Sequence, residues 1–191
     1  MQIKDDSMNK DYDHIREYLD KLMSNDYYKD EERLELRMLI SDFAILWNRY
    51  ENHFVPQEDN KKLILEAEVM NKMKEIKSFQ LEKDINYLYS QLLNYFSNRK
   101  IAYNVGAIKK HFHIDSKFDR YASRTLEKVI KCDTFDKRLE FMLIILKRVR
   151  NNMFHGTKHI IELHKNKDLF IWCNKFLWLI LDYNHVSIVG G

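Results

Sequence analysis

The densest concentration of reactive side-chain types lies in KRVRNNMFHGTKH, Lys147 to His159, between two strongly apolar segments. Arg150 carries a planar guanidinium whose fork of donors matches phosphate oxygens and which stays charged at any physiological pH. His155 titrates near neutrality and is a candidate general acid or base. Between them, Asn151 and Asn152 can orient an imidazole or hydrogen-bond a ribose or phosphate without adding charge. Lys147, Arg148, Lys158 and His159 add positive potential around the string. These types suit RNA cleavage: the ribose 2′-OH attacks phosphorus, the guanidinium holds the charge of a phosphorane-like transition state, and the leaving 5′-oxygen is protonated. No acidic cluster of the kind that holds Mg²⁺ or Mn²⁺ accompanies the string, so no metal or other cofactor is expected.

Geometry limits how Arg150 and His155 can cooperate. At 100° per residue they point about 140° apart on an unbroken helix. They converge only if the helix ends between them, and Gly156 supplies the means, since a glycine directly after His155 lets the chain leave the helix and turn the imidazole back toward the last turn. Taken without its context, an Arg and a His at this spacing are more often an ion-paired Arg and a helix-capping His than a catalytic pair.

The elements that must position the string are helical. One proline and four glycines in 191 residues leave too few turn formers for a sheet protein, and 45% hydrophobic content is enough for one core, so an all-α fold is expected, a single domain over 1–191. Helical spacing predicts a first helix over about 9–24 and a second over about 30–53. The stripe of the second is Leu36, Leu39, Ile40, Phe43, Leu46, Trp47 and Tyr50. Pro56 follows it. Asn48, Arg49 and Glu51 lie on its polar edge, and if it packs beside the string one of them, Glu51 foremost, orients Arg150 or His155; otherwise they form a solvated face.

Further helices are expected at about 60–79, 84–98, 100–113 and 117–131, with YNVGAIKKHFHID the least helical in appearance. Residues 100–131 read either as an insertion or as more of the bundle. Asp133 or Thr134 caps the helix FDKRLEFMLIILKRVRNN, whose stripe is Leu139, Met142, Leu143, Leu146 and Val149. A last helix begins near Asn166, a residue with cap chemistry, and runs to about Asn184. The recurrent aromatics Trp47, Tyr50, Phe170, Trp172, Phe176 and Trp178 suit a core or a dimer interface better than a base-stacking platform. His111, His113 and Asp115 have the types of a metal site, but without a matching pair they read as plain surface groups.

Charge and cysteine usage bound the setting. A net charge of +3 permits an anionic partner without requiring one. Cys132 and Cys173 show no framework spacing, and no signal-peptide pattern precedes them, so a reduced, cytoplasmic setting is expected. LFIWCNKFLWLIL is too short for a membrane span and carries Asn174 and Lys175 at its middle.

RNNMFHG, preceded by LEFMLIILKRV and followed by TKH and another apolar helix, resembles the signature of the HEPN superfamily, nearest to its Apea-like members. Arg150 matches the family's Arg, Asn151 the polar residue after it, His155 the His and Gly156 the following glycine; Thr157 stands where a second glycine is common. The resemblance covers about residues 135–183, and more weakly FAILWNRYENHF, giving a motif-bearing core of about 28–183. It implies a HEPN-type helical bundle with additional N-terminal and middle helices. It also implies a homodimer in which two motifs face one another, metal-independent cleavage of RNA, and a role in a toxin–antitoxin pair or antiviral defence with a cognate antitoxin or defence partner. The alternative is a helical module that holds RNA or a nucleotide without cleaving it, under control of a partner protein.

Overall fold

The computed structural model describes residues 30–54, 65–114, 120–129, 134–154 and 166–186, and the described residues form helices and no strand. The fold is all-α. In chain order the helices are α1 (Asp30–Phe54), α2 (Leu65–Glu75), α3 (Phe79–Asn98), α4 (Val105–His111), α5 (Arg120–Val129), α6 (Phe135–Phe154) and α7 (Lys167–Tyr183). The helix expected at about 9–24, Pro56, Asp115, Cys132 and Asp133 lie outside the described residues.

Local chemistry sets the helix starts. Ser78 ends the link after α2 and its Oγ accepts from Leu81 N at 3.1 Å, so α3 starts at Phe79, earlier than periodicity alone predicts. Asn104 accepts from Ala107 N at 2.9 Å and opens α4 inside the stretch that looked least helical. At α6, Thr134 Oγ1 lies 3.4 Å from Lys137 N. Asn166 departs from expectation: it stands at the N-cap position of α7 but makes no capping bond, because its Oδ1 accepts the Tyr95 hydroxyl at 2.7 Å.

The helix ends show how a glycine-poor chain turns. α3, α4 and α7 are each followed by a non-glycine residue in the left-handed region: Lys100 (φ 57°), His113 (φ 51°) and His185 (φ 54°). Each end is closed by a bond from the next residue back into the last turn: Ile101 N to Phe96 O at 2.9 Å, Ile114 N to Lys109 O at 2.8 Å, Val186 N to Leu181 O at 3.0 Å. The residue after each turn is apolar and packs on the core, the contact that accompanies this type of helix end.

Packing links five helices in a cycle: α1 lies along α7, α7 along α3, α3 along α6, α6 along α2, and α2 returns to α1. α3 and α7 are antiparallel, since Asp84, Leu88 and Tyr95 meet Tyr183, Trp172 and Asn166 in reverse order. α5 packs on α6, with α4 beside α5. Of residues 100–131, those described, 100–114 and 120–129, therefore share the common core through Ile108, Phe112, Ile114 and Leu126, all buried. Inside the cycle, the Phe141 ring meets Tyr89 and Phe96 edge-on at centroid distances of 5.9 and 6.0 Å. No described helix is long and apolar enough to cross a membrane.

Candidate functional site

α6 carries the string, and its helical period divides the string in two. Relative to Lys147, Arg150 and Asn151 fall within about 60° on either side, whereas Arg148 and Asn152 fall about 100° and 140° away. The surroundings follow that division. Lys147 is exposed and Arg150 and Asn151 are half-buried, while Arg148 and Asn152 are buried. Burial pushes the Arg148 guanidinium below its ordinary pKa. The Asn152 amide donates to the Phe112 carbonyl at 3.2 Å and so ties the end of α6 to the end of α4. Of the two arginines in the string, Arg150 is the one set toward the outside.

α1 supplies the surroundings of Arg150. Glu51 and Trp47 stand one helical turn apart on the same face of α1. Arg150 Nη2 lies 3.8 Å from Glu51 Oε1, and its guanidinium carbon lies 5.8 Å from the centroid of the Trp47 ring. At 3.8 Å the Glu51 carboxylate attracts the guanidinium from beyond the length of a short charge-assisted hydrogen bond. The Trp47 ring holds the cation from a second direction. Glu51, anticipated from the polar edge of that helix, is thus beside Arg150; Trp47, read as core or dimer interface, is buried in the core, and its place beside Arg150 is what sequence reasoning missed. Its position four residues before Glu51 is the signal that marks it.

The described part of α6 stops at Phe154. His155, Gly156, Lys158 and His159 lie outside the described residues.

A second polar cluster lies below the end of α6. Tyr95 Oη donates to Asn166 and lies 3.1 Å from His111 Nε2, while the Arg99 guanidinium sits 3.7 Å from the centre of the Tyr95 ring. With its proton committed to Asn166, the Tyr95 oxygen is matched by an N–H on His111 Nε2. Burial, ahead of the charges nearby, holds the Tyr95 phenol far above its ordinary pKa. His111 therefore has a packing partner, and His113 is exposed at a helix end. Among the described residues, no group of three or more His, Cys, Asp or Glu side chains is arranged to hold a metal ion.

No family model, curated protein or solved structure matches the chain.

Proposed function

We propose that the chain is a metal-independent endoribonuclease of the HEPN type, acting as a homodimer, with Arg150 and His155 in the reaction and Asn151 in support. The observation that carries this reading is the face shared by Lys147, Arg150 and Asn151 in the last turns of α6, less buried than the side of Arg148 and Asn152 and immediately before His155 in the chain. On this reading Arg150 holds the charge that builds on the phosphoryl oxygens, and Glu51 and Trp47 hold Arg150. His155 moves the proton that activates the 2′-OH or releases the 5′-oxygen. A toxin or antiviral role, with a partner that restrains or activates the enzyme, follows from the same resemblance.

The test is cleavage of RNA by the purified chain in EDTA, with the ends analysed. Expected products carry a 2′,3′-cyclic phosphate or its hydrolysis product, and His155→Ala lowers the rate by roughly 10²-fold or more. Undiminished cutting by His155→Ala removes the mechanism, and RNA binding without product favours the non-cleaving module.

One observation favours a second reading. Arg150 has only 19% of its side chain accessible and faces Glu51, which suits a residue that fastens α6 to α1. On that reading Arg150→Ala lowers the melting temperature or dissociates a dimer and leaves RNA untouched.

A further inference from the structure

α1, α3 and α7 enclose an open groove of about 680 Å³ that lies apart from Arg150 and the string. Three large apolar side chains line it and are well exposed: Ile45 at 49%, Tyr87 at 61% and Trp178 at 51%. Isolated exposed apolar residues are ordinary, but three from three helices meeting in one concavity are not. The apolar surface also continues beyond it. Leu34, Met38 and Ile45 fall within about 40° of one another around α1, so exposed apolar residues, with Ser41 between Met38 and Ile45, recur over about 16 Å of that helix and lead into the groove.

The charges on the rim run against those of the chain as a whole. Asp42, Asp84 and Asp182 line the groove against one cation, Lys175, on a protein whose net charge is +3. Asp84 is engaged, accepting from Gln80 Nε2 at 2.8 Å and from the Tyr183 hydroxyl at 2.7 Å. Asp42 and Asp182 are exposed, the first on α1 and the second on α7. An apolar groove whose rim carries exposed carboxylates on two helices matches an elongated occupant that is apolar on one side and carries cations beside that side.

We infer that this groove is the docking site for an amphipathic helix of a partner protein, with aliphatic residues seated on Ile45, Tyr87 and Trp178 and Lys or Arg flanking residues set against Asp42 and Asp182. The length of the stripe selects a helix over a compact small molecule, and the sign of the rim selects its flanks. The inference is independent of the nuclease reading.

The probe is a fluorescein-labelled model helix of about 18 residues with Leu at helical spacing and Lys on both flanks, compared by anisotropy with the same peptide carrying Glu in place of Lys. The whole chain should bind the Lys peptide roughly tenfold or more tightly than the Glu peptide, and Trp178→Ala and Ile45→Glu should each weaken it about tenfold. The double variant Asp42→Lys, Asp182→Lys should invert the order of the two peptides. Circular dichroism of the variants checks that they are folded, which their exposed positions favour. Equal binding of the two peptides, or no effect of Trp178→Ala and Ile45→Glu, overturns the proposal. So does a dimer in sedimentation that Ile45→Glu dissociates, since a second copy would then be the occupant.

Discussion

α6 and α7 are both long, apolar helices near the chain's end, yet they stand in different surroundings. From Phe141 to Leu146 every residue of α6 is buried, so the middle of that helix has no outward side. α7 buries nearly as many apolar residues but keeps Lys175, Trp178 and Asp182 exposed at spacings of three and four. α6 therefore meets solvent at its two ends, through Asp136 and Lys137 before the buried run and through Lys147 after it, and at the second end Arg150 is held beside Glu51 and Trp47. α7 offers a face that the fold does not need. A reaction that depends on exact placement of a guanidinium suits the first environment, and a docking surface free to change with its partner suits the second.

The widest separation between the two is expected from deleting one ring on each. Phe141→Ala removes a fully buried ring that packs on Tyr89 and Phe96. The cost should be about 3–5 kcal/mol, from lost burial and the cavity left behind. Trp178→Ala deletes a larger side chain that is already half in water, and should cost about 1 kcal/mol or less. Thermal or denaturant unfolding of the two variants decides it; comparable losses would mean that the α7 face is part of the core.

The same contrast shows how much was legible beforehand. The stripes of α1 and α6 are readable because a three-and-four spacing has one structural meaning, and Leu36, Ile40, Phe43, Leu139 and Leu143 are buried as that spacing requires. The division of the string into Lys147, Arg150 and Asn151 on one side and Arg148 and Asn152 on the other follows from the same 100° rule. What it could not give is which side faces inward, since both are polar. Asn166 shows the other limit: cap chemistry is local, but Tyr95, distant in sequence, competes for the same oxygen and wins. The Arg150 and Glu51 neighbourhood is likewise tertiary, set by how α1 crosses the end of α6.

Asn152→Ala probes the interior side of the α6 end. It leaves the Phe112 carbonyl without its amide donor in a buried setting, and the expected loss is about 1–3 kcal/mol. Asn151→Ala, on the half-exposed side, should cost about 0.5 kcal/mol or less in stability, so any large effect of that change should be on RNA cleavage. Equal destabilisation by the two variants would erase the distinction between the sides.

On the α7 side, Tyr183 gives a pH signature. Burial first, then its hydrogen bond to Asp84 and the charge of that carboxylate, raise the Tyr183 phenol from its ordinary value to about 12. The neutral phenol is the form favoured in the folded chain. Its contribution is therefore complete below about pH 10, where the unfolded phenol is also protonated, and is lost as pH rises toward 12. Unfolding measured from pH 9 to 12 should show that loss in the wild type and a smaller one in Tyr183→Phe. At neutral pH the substitution should cost about 1 kcal/mol, the worth of one partly exposed hydrogen bond.

One expected change has the opposite sign, and it lies where α7 ends. His185 holds φ at 54°, a conformation in which a Cβ crowds the neighbouring carbonyl and which glycine adopts freely. The turn is already closed by the bond from Val186 N to Leu181 O at 3.0 Å, so His185→Gly keeps the geometry and relieves the crowding. Glycine also gives the unfolded chain more freedom, which offsets part of the gain. The net should be a stabilisation of about 0.5–1 kcal/mol, seen as a rise of roughly 1–4 °C in Tm for a chain of this size. A fall in Tm would show that the His185 side chain contributes more than its backbone costs. A rise would mean that α7 retains slack at its end, in keeping with a face whose residues answer to a partner more than to the core.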